Sequence, residues 1–251
     1  MKVPVFFTAG KGDALTCAQE VLRRHGIQFA DTPSTAVTHL LLGVPSFEKD
    51  GLLKGGGCLA DILSKCKQDI MVIGGNLGNS VLENYRRIDL LQDPYYLAEN
   101  ADITAHCAIK VALRHMRFTW KGCPVLVIGG GRIGTCLAKL LKGSGAQVCV
   151  ATGQKRALWE VLGYDTLDSQ NLGYSLGRFR VIFNTAPTLM ITEEALPYCQ
   201  KDCIKIELAS QPGIAGNDVI NARGLPNLEA PETSGELIAR TVLRRYQEGV
   251  L

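Results

Sequence analysis

The stretch GGGRIG, residues 129–134, has the residue types and the spacing that bind the phosphates of a dinucleotide. It fits the pattern G-x-G-x-x-G, in which the three glycines have separate tasks. Gly129 would permit a tight turn, Gly131 would let the backbone approach the pyrophosphate, and Gly134 would let the next helix pack on its strand. A glycine-rich turn that binds nothing is the alternative interpretation.

The surrounding sequence predicts the elements that a dinucleotide-binding unit requires. Residues 124–128 (PVLVI) predict a buried strand, residues 135–145 a helix, and residues 146–153 (AQVCVATG) a second strand. The whole unit falls within about 30 residues, as in a βαβ nucleotide fold. The first turn of the helix would direct free N–H groups and the positive end of its dipole at the phosphates. We therefore expect Arg132 and Ile133, together with the three glycines, at the cofactor.

The tip of the second strand lacks the acid that would bind an adenosine ribose. About twenty residues after the glycine loop, an NAD enzyme places Asp or Glu on the ribose diol. Here the strand leads instead into Thr152, Gln154, Lys155 and Arg156. No carboxylate would repel a 2′-phosphate, and a hydroxyl with two cations could hold one. The sequence therefore predicts NADP(H) in preference to NAD(H). The alternative is that Lys155 and Arg156 are solvated side chains at the start of a helix and bind no phosphate.

Two further loops follow buried strands and are expected at the same edge of the sheet. Ligands of doubly wound folds lie at the carboxyl ends of the parallel strands. The loops NTAP and LASQPG would therefore line the nicotinamide and its ribose, although ordinary loops explain any single residue as well. The predicted contacts are Asn184, Thr185, Ala186 and Pro187 from the first loop, and Leu208, Ala209, Ser210 and Pro212 from the second.

Two residues are candidates for the chemistry itself. His106 lies in an amphipathic helix predicted over residues 102–117, and an imidazole suits acid–base work near neutral pH. A histidine packed at a domain seam is the alternative. Arg132 could grip a substrate carboxylate or a phosphate bidentately.

The order of predicted elements defines an α/β fold, since short apolar runs alternate with helical patterns. We predict a Rossmann-type doubly wound parallel sheet preceded by a smaller α/β, flavodoxin-like domain. The expected divisions are an N-terminal domain on the substrate side (1–98), a bridging helix (99–121), a dinucleotide-binding domain (122–232), and a C-terminal helix (233–251) that returns to the first domain. The turn-rich stretch 75–100 is expected to connect the domains.

Composition limits the classes of function. The 251 residues carry a net charge of only +3 in scattered doublets, which argues against nucleic-acid binding. Nine cysteines without a Cys-x-x-Cys pair argue against a disulfide framework and a metal site, so we expect reduced thiols and no metal. Pro4 interrupts the short apolar N-terminus, and no run is long enough to span a bilayer. A cytoplasmic protein is expected, and homo-oligomerisation stays open.

Four motifs together resemble a known family. VLVIGGGRIG, FNTAP, ELASQPG and LPNLEAPETSGE are similar to the C-terminal half of the A component of dipicolinate synthase from spore-forming bacteria, over residues 96–240. The matching positions are the glycine loop with Arg132; Asn184, Thr185 and Pro187; residues 208–213 except Gln211; and Ala230, Pro231, Thr233 and Gly235. The sequence departs from the family at His106, where a glutamate is expected, and in a shorter N-terminal domain.

The resemblance implies a function that the residues alone do not specify. The family pairs a small N-terminal domain with a Rossmann domain, much as 2-hydroxyacid dehydrogenases do. With a flavoprotein partner, the B component, it forms dipicolinate for spores from hydroxy-tetrahydrodipicolinate, a dicarboxylate. The residues by themselves indicate an NAD(P)-dependent oxidoreductase. A 2-hydroxyacid-type dehydrogenase, or a non-catalytic cofactor-sensing or scaffold protein, remain alternatives.

Overall fold

The computed structural model describes residues 4–153 and 155–249, which form two compact units. Of the described residues, one unit contains 4–100 and 226–249, and the other contains those between 101 and 225. The strands are β1 (Val5–Ala9), β2 (Gln28–Phe29), β3 (His39–Leu42), β4 (Met71–Gly74), β5 (Arg86–Asp89), β6 (Pro124–Ile128), β7 (Gln147–Ala151), β8 (Asp165–Leu167), β9 (Val181–Asn184), β10 (Ile204–Glu207) and β11 (Val219–Asn221). The α-helices are α1 (Asp13–Arg24), α2 (Leu59–Leu63), α3 (Pro94–His115), α4 (Arg132–Gly143), α5 (Arg156–Val161), α6 (Leu225–Glu229) and α7 (Pro231–Gln247).

The first unit is built on a parallel sheet with strand order β2-β1-β3-β4-β5. This is the flavodoxin-like order of a doubly wound sheet, in which strands are covered on both faces. The central strands accordingly contain almost only buried residues; Leu40, Leu41 and Leu42 of β3 and Val72 of β4 are all inaccessible to solvent. The predicted flavodoxin-like domain is confirmed.

Helix α7 returns to the first unit and packs closely on α1. The contact requires a residue without a side chain at Gly235, because a Cβ there would lie 2.5 Å from the carbonyl oxygen of Ala14 and 2.6 Å from Cβ of Cys17. On α1, Ala14, Ala18 and Leu22 recur at helical spacing and are buried. The small residue therefore lets the two helix backbones approach closely.

The second unit contains a six-stranded parallel sheet with order β11-β10-β9-β6-β7-β8. Numbered within the unit, this is the order 6-5-4-1-2-3 of dinucleotide-binding sheets, with the order reversing between β6 and β9. Buried Leu126, Ile128, Ile182 and Phe179 form its core on one face. The predicted Rossmann-type fold is confirmed.

The stretch expected to be a connection, residues 75–100, contains a strand and the start of a helix. Strand β5 was missed because three of its four residues, Arg86, Arg87 and Asp89, are charged at the edge of the sheet, which hides the apolar signal of a strand. Helix α3 begins at Pro94, eight positions before the predicted start. Pro94 suits the first helical position, and Asp93 caps the helix by accepting 3.0 Å hydrogen bonds from the backbone N–H groups of Tyr95 and Tyr96.

Among the described residues, no helix has the length and apolar character needed to cross a bilayer. The same residues include no cluster of three or more His, Cys, Asp or Glu side chains that could hold a metal ion. All nine cysteines are free thiols, and Cys58 is exposed.

Asp93 also links α3 to α7 through a buried carboxylate. Its second oxygen accepts a 2.6 Å hydrogen bond from Arg244 and forms a 2.7 Å ion pair with Arg245, while the residue itself is 1% exposed. Burial opposes ionisation, but the backbone N–H of Tyr96 and the Arg244 guanidinium outweigh it and hold the pKa of Asp93 below its ordinary value. The carboxylate therefore contributes stability above its unfolded-state pKa, and that contribution is lost as the pH falls through the lower, folded-state pKa.

We expect Asp93→Asn to lower the free energy of unfolding at pH 7 by about 2–3 kcal/mol, because it removes the charge from one side of a buried ionic contact while keeping a side-chain oxygen that can cap the helix. The difference in unfolding free energy from wild type should narrow as the pH falls below about 4, where the Asp93 carboxyl of the unfolded wild-type chain begins to protonate. Urea unfolding at several pH values measures both effects.

The matched control is Glu99→Gln, which breaks the exposed 2.6 Å pair between Glu99 and Arg240 on the same two helices. An exposed pair contributes at most about 1 kcal/mol, so this variant should stay close to wild type. Equal losses from the two variants would show that burial of Asp93 is not what makes its contact strong.

Candidate functional site

The glycine loop joins the carboxyl end of β6 to the start of α4, and two of its glycines are required by close packing. Gly129 has φ +101°, and a Cβ there would overlap the hydroxyl of Thr185. A Cβ on Gly134 would overlap the carbonyl oxygen of Gly129. The first turn of α4 can therefore lie directly against the tip of β6 only because neither residue has a side chain.

Gly131 differs from these two because it faces open space. It is the N-cap of α4, and in the described part of the chain no atom lies within 4 Å of where its Cβ would be. No described side chain caps the helix either, so the N–H groups of the first turn are left for a ligand. An uncapped helix start beside free space fits an anionic group such as a pyrophosphate.

Beside the loop lies a cavity of about 560 Å³ within the second unit. It is bounded by three strand ends, β6, β7 and β9, all at the carboxyl edge of the sheet. The lining residues are 129–131, 151–153, Lys155, Ser169, 185–188 and Met190. The position is the one where doubly wound sheets bind ligands, next to the reversal of strand order.

Seven of the predicted cofactor residues line this cavity, namely Gly129, Gly131, Thr152, Lys155, Thr185, Ala186 and Pro187. Sequence reasoning missed Ser169, which follows β8, and Met190, which lies beyond the NTAP loop. It also missed Trp159, a buried residue whose indole nitrogen would lie 2.8 Å from a Cβ on Gly130. These residues come from separate elements, so only the fold brings them to the glycine loop.

The two cations after β7 have different surroundings. Lys155 lines the cavity and adopts a left-handed backbone conformation with φ +62°. Arg156 pairs with Glu160, at 3.7 Å, and donates to the hydroxyl of Thr166 at 3.4 Å. Their neighbour Gln154, also predicted at the cofactor, lies outside the described residues. Of the pair, only Lys155 is placed at the cavity.

The NTAP loop is held by the side chains of its first two residues. Asn184 is inaccessible to solvent; its Oδ1 accepts from the N–H of Ala186 at 3.1 Å and its Nδ2 donates to the Ala186 carbonyl at 3.0 Å. The hydroxyl of Thr185 donates to the carbonyl of Ile128 at 2.8 Å. Asn184 thus fixes the conformation of the loop through hydrogen bonds within it, and Thr185 attaches the loop to the end of β6.

The LASQPG loop is organised by a residue that the sequence reasoning did not single out, Glu207, at the carboxyl end of β10. It is 3% exposed, and its carboxylate accepts four N–H groups, three of them from this loop and the residue after it. Of the predicted contacts, Leu208 and Ala209 are buried, whereas Ser210 and Pro212 are exposed at the same edge of the sheet. An acid at the end of a strand in which isoleucines alternate with charged residues, IKIE, was the available signal.

The candidate chemical residues lie outside the cavity lining. Arg132 is exposed in the first turn of α4, next to Ile133, which is half-buried. His106 lies on an exposed face of α3, where its Nε2 is 3.7 Å from a carboxylate oxygen of Asp102, one helical turn away. The structure therefore brings Arg132 near the phosphate end of the loop and places His106 on a different element.

Comparison with known proteins gives one relative and a group of similar folds. The chain is 25% identical over 193 residues to the A component of dipicolinate synthase from Bacillus subtilis (strain 168); the match covers 70% of this chain but only 65% of the relative's length. Crystal structures of the A component from Bacillus subtilis and Bacillus halodurans superpose with TM-scores of 0.82 and 0.81, both at 20% identity. The superpositions cover 99% and 96% of this chain, respectively, and 97% of each structure.

The chain is similar to the A component of dipicolinate synthase in both sequence and fold. This confirms the resemblance that the four motifs indicated. No family model matches the chain. The fold extends to other proteins: a D-lactate dehydrogenase from Salmonella superposes with a TM-score of 0.64 at 16% identity, over 96% of this chain and 95% of that one.

The two kinds of glycine generate a prediction. Gly134→Ala should lower both stability and affinity for a dinucleotide, because the new methyl group would push α4 away from β6. Gly131→Ala should leave stability nearly unchanged but should lower the affinity for a dinucleotide by about ten-fold or more, because the new methyl group fills the space that the phosphates would use. Thermal unfolding and calorimetric titration with NADPH separate the two effects.

Gly143→Ala is the control, since it lies at the other end of α4 and a Cβ there would also meet open space. It should alter neither measurement appreciably. Full dinucleotide affinity in Gly131→Ala would contradict the assignment of the phosphates to this helix start.

Proposed function

We propose that this chain is an NAD(P)-dependent oxidoreductase component of the dipicolinate synthase type. The observation that supports this most is the dinucleotide-binding order of the second sheet, with a glycine loop and a cavity at its reversal point. The similarity to the A component adds the substrate class. On that basis the reaction is the conversion of hydroxy-tetrahydrodipicolinate to dipicolinate, in a spore-forming bacterium and in the cytoplasm.

The proposed cofactor is NADP(H) in preference to NAD(H). A bound nicotinamide would supply the hydride acceptor or donor. The chain would hold its phosphates at the uncapped start of α4 and its adenosine half at the tip of β7. Residues 151–156 contain no acid, and Thr152 and Lys155 line the cavity. A hydroxyl and an ammonium group can both hydrogen-bond a 2′-phosphate, and no carboxylate there would repel it.

The substrate would be a ring dicarboxylate, and Arg132 and His106 are proposed to act on it. Arg132 would bind a carboxylate, or alternatively a cofactor phosphate, because its guanidinium forms paired hydrogen bonds to such groups. His106 would transfer a proton, with Asp102 orienting its ring. A flavoprotein, the B component of the synthase, is the proposed partner, and these roles depend on the similarity to the A component rather than on the cavity.

Turnover tests the proposal directly. The protein should be mixed with hydroxy-tetrahydrodipicolinate and a nicotinamide cofactor, with and without the flavoprotein, while dipicolinate absorbance and nicotinamide redox state are followed. Dipicolinate formation coupled to a nicotinamide signal supports the proposal. If the protein instead reduces a 2-keto acid offered with the reduced cofactor, it is a 2-hydroxyacid-type dehydrogenase. If it binds the cofactor but turns over neither substrate, it is a cofactor-sensing or scaffold protein.

His106→Ala is the informative variant in this assay. It should impair turnover while leaving NADPH affinity intact, because the residue lies outside the cofactor cavity. His115→Ala, at the last position of the same helix, is the control. Unchanged turnover in His106→Ala would remove the proposed role in proton transfer.

Cofactor preference can be tested at Lys155 and Arg156 separately. Lys155→Ala should lower the affinity for NADPH by about ten-fold, which is the effect expected from losing one charge-assisted hydrogen bond, and should change the affinity for NADH little. Arg156→Ala is a matched control, because its guanidinium pairs with Glu160 and Thr166; it should have a much smaller effect. Fluorescence titration measures both constants, and equal losses for NADPH and NADH would show that Lys155 does not bind the 2′-phosphate.

A further inference from the structure

The carboxylate of Glu207 connects the two loops at the carboxyl ends of β9 and β10. Its Oε1 accepts from Nδ2 of Asn184 at 2.8 Å and from the N–H of Ala209 at 2.9 Å. Its Oε2 accepts from the N–H groups of Gly213 at 2.7 Å and Ile214 at 3.2 Å. One buried side chain therefore fixes the NTAP loop, through Asn184, and both ends of the LASQPG loop.

Packing around Gly213 shows how closely these loops are joined. A Cβ on Gly213 would overlap the amide of Asn184 and lie 2.7 Å from the carbonyl oxygen of Thr188. The two loops therefore meet with no space for a side chain between them. Their relative position depends on the hydrogen bonds to Glu207 and on this close approach.

The hydrogen-bond pattern requires an ionised carboxylate. Each oxygen already accepts two N–H groups, so a carboxylic O–H would find no acceptor and would displace a donor. Within residues 4–153 and 155–249, all interactions of Glu207 are these hydrogen bonds, and none comes from a lysine, arginine or histidine. The one cation in β10, Lys205, is paired with Asp218 at 2.7 Å. Glu207 is thus a buried negative charge held by dipoles alone.

The order of strands places this charge in the nicotinamide half of the site. A dinucleotide-binding sheet consists of two mononucleotide-binding halves. The glycine loop and the ribose-binding strand tip belong to the half formed by β6, β7 and β8, which would hold the adenosine. The half formed by β9, β10 and β11 then holds the nicotinamide mononucleotide, and Glu207 is its buried charge.

We propose that Glu207 both positions the nicotinamide-side loops and favours the oxidised cofactor, whose ring carries a positive charge that the reduced ring lacks. The inference rests on the proposed function, because it requires a nicotinamide dinucleotide in this site. A negative charge attracts the oxidised ring and has no comparable interaction with the neutral reduced ring. Glu207 thereby favours loading of the site with NADP⁺, the form that accepts a hydride. It also makes the bound ring a weaker hydride acceptor, because hydride transfer neutralises the ring charge that Glu207 attracts.

The test compares three ligands by calorimetry with the whole chain: NADP⁺, NADPH and 2′-phospho-ADP-ribose, which lacks the nicotinamide. In Glu207→Gln the ratio of dissociation constants, NADP⁺ to NADPH, should rise by about ten-fold, the size expected of one charge acting across several ångströms of protein. The constant for 2′-phospho-ADP-ribose should stay within about two-fold of wild type, because that ligand occupies the other half. A purely structural role would weaken NADP⁺ and NADPH alike, so the ratio isolates the charge.

Glu207→Asp keeps the charge but shortens the side chain. This variant should lower the affinities for NADP⁺ and NADPH by the same factor and leave the ratio of the two dissociation constants unchanged. A change in that ratio as large as in Glu207→Gln would overturn the inference. The wild-type protein provides a check that does not depend on folding of a variant: NADP⁺ should bind at least as tightly as NADPH, and much tighter NADPH would overturn it.

The outcomes separate this inference from the proposed function. If none of the three ligands binds to the wild-type protein, the proposed function fails and the inference fails with it. If all three bind and Glu207→Gln leaves the redox ratio unchanged, only the inference is wrong.

Discussion

The close approach of α4 to the tip of β6 is the constraint on which the candidate site of the second unit depends. It requires that Gly129 and Gly134 have no side chain, since a Cβ on either would overlap Thr185 or the Gly129 carbonyl. The approach brings the uncapped first turn of α4 to the edge of the sheet, where Gly131 leaves space beside it. Every other feature of the site is arranged relative to this turn, because it sets where an anionic group can bind.

Polar side chains then hold the loops that surround the turn. The hydroxyl of Thr185 ties the NTAP loop to β6, and Asn184 and Glu207 join that loop to the next one. The contacts of Glu207 are buried, so leaving one of these groups unpaired would carry a large desolvation cost, which favours a single arrangement of the loops. Loops that are already held in place lose little conformational entropy of their own when a ligand such as a dinucleotide binds between them.

The first unit uses the same principle for a different purpose. Asp93 is a buried carboxylate that caps α3, accepts a hydrogen bond from Arg244 of α7 and forms an ion pair with Arg245 of the same helix. The small residue Gly235 permits the close packing of α7 on α1. The final helix is thus held in the first unit by a buried ionic contact at Asp93 and by a close backbone approach to α1, although the whole second unit separates it in sequence from the rest of the first.

The sequence by itself determined the fold class, the glycine loop and the resemblance to dipicolinate synthase, because these depend on local periodicity and on short motifs. It also identified most of the residues that line the cavity at the ends of β6, β7 and β9. Only the tertiary structure distinguished Lys155, at the cavity, from Arg156, paired on the surface, since neighbouring residues on a helix start point in different directions. Likewise, strand β5 and the role of Glu207 emerged only in three dimensions. This edge strand has no apolar run. The four N–H groups that identify Glu207 as a link between loops are brought together only by the fold.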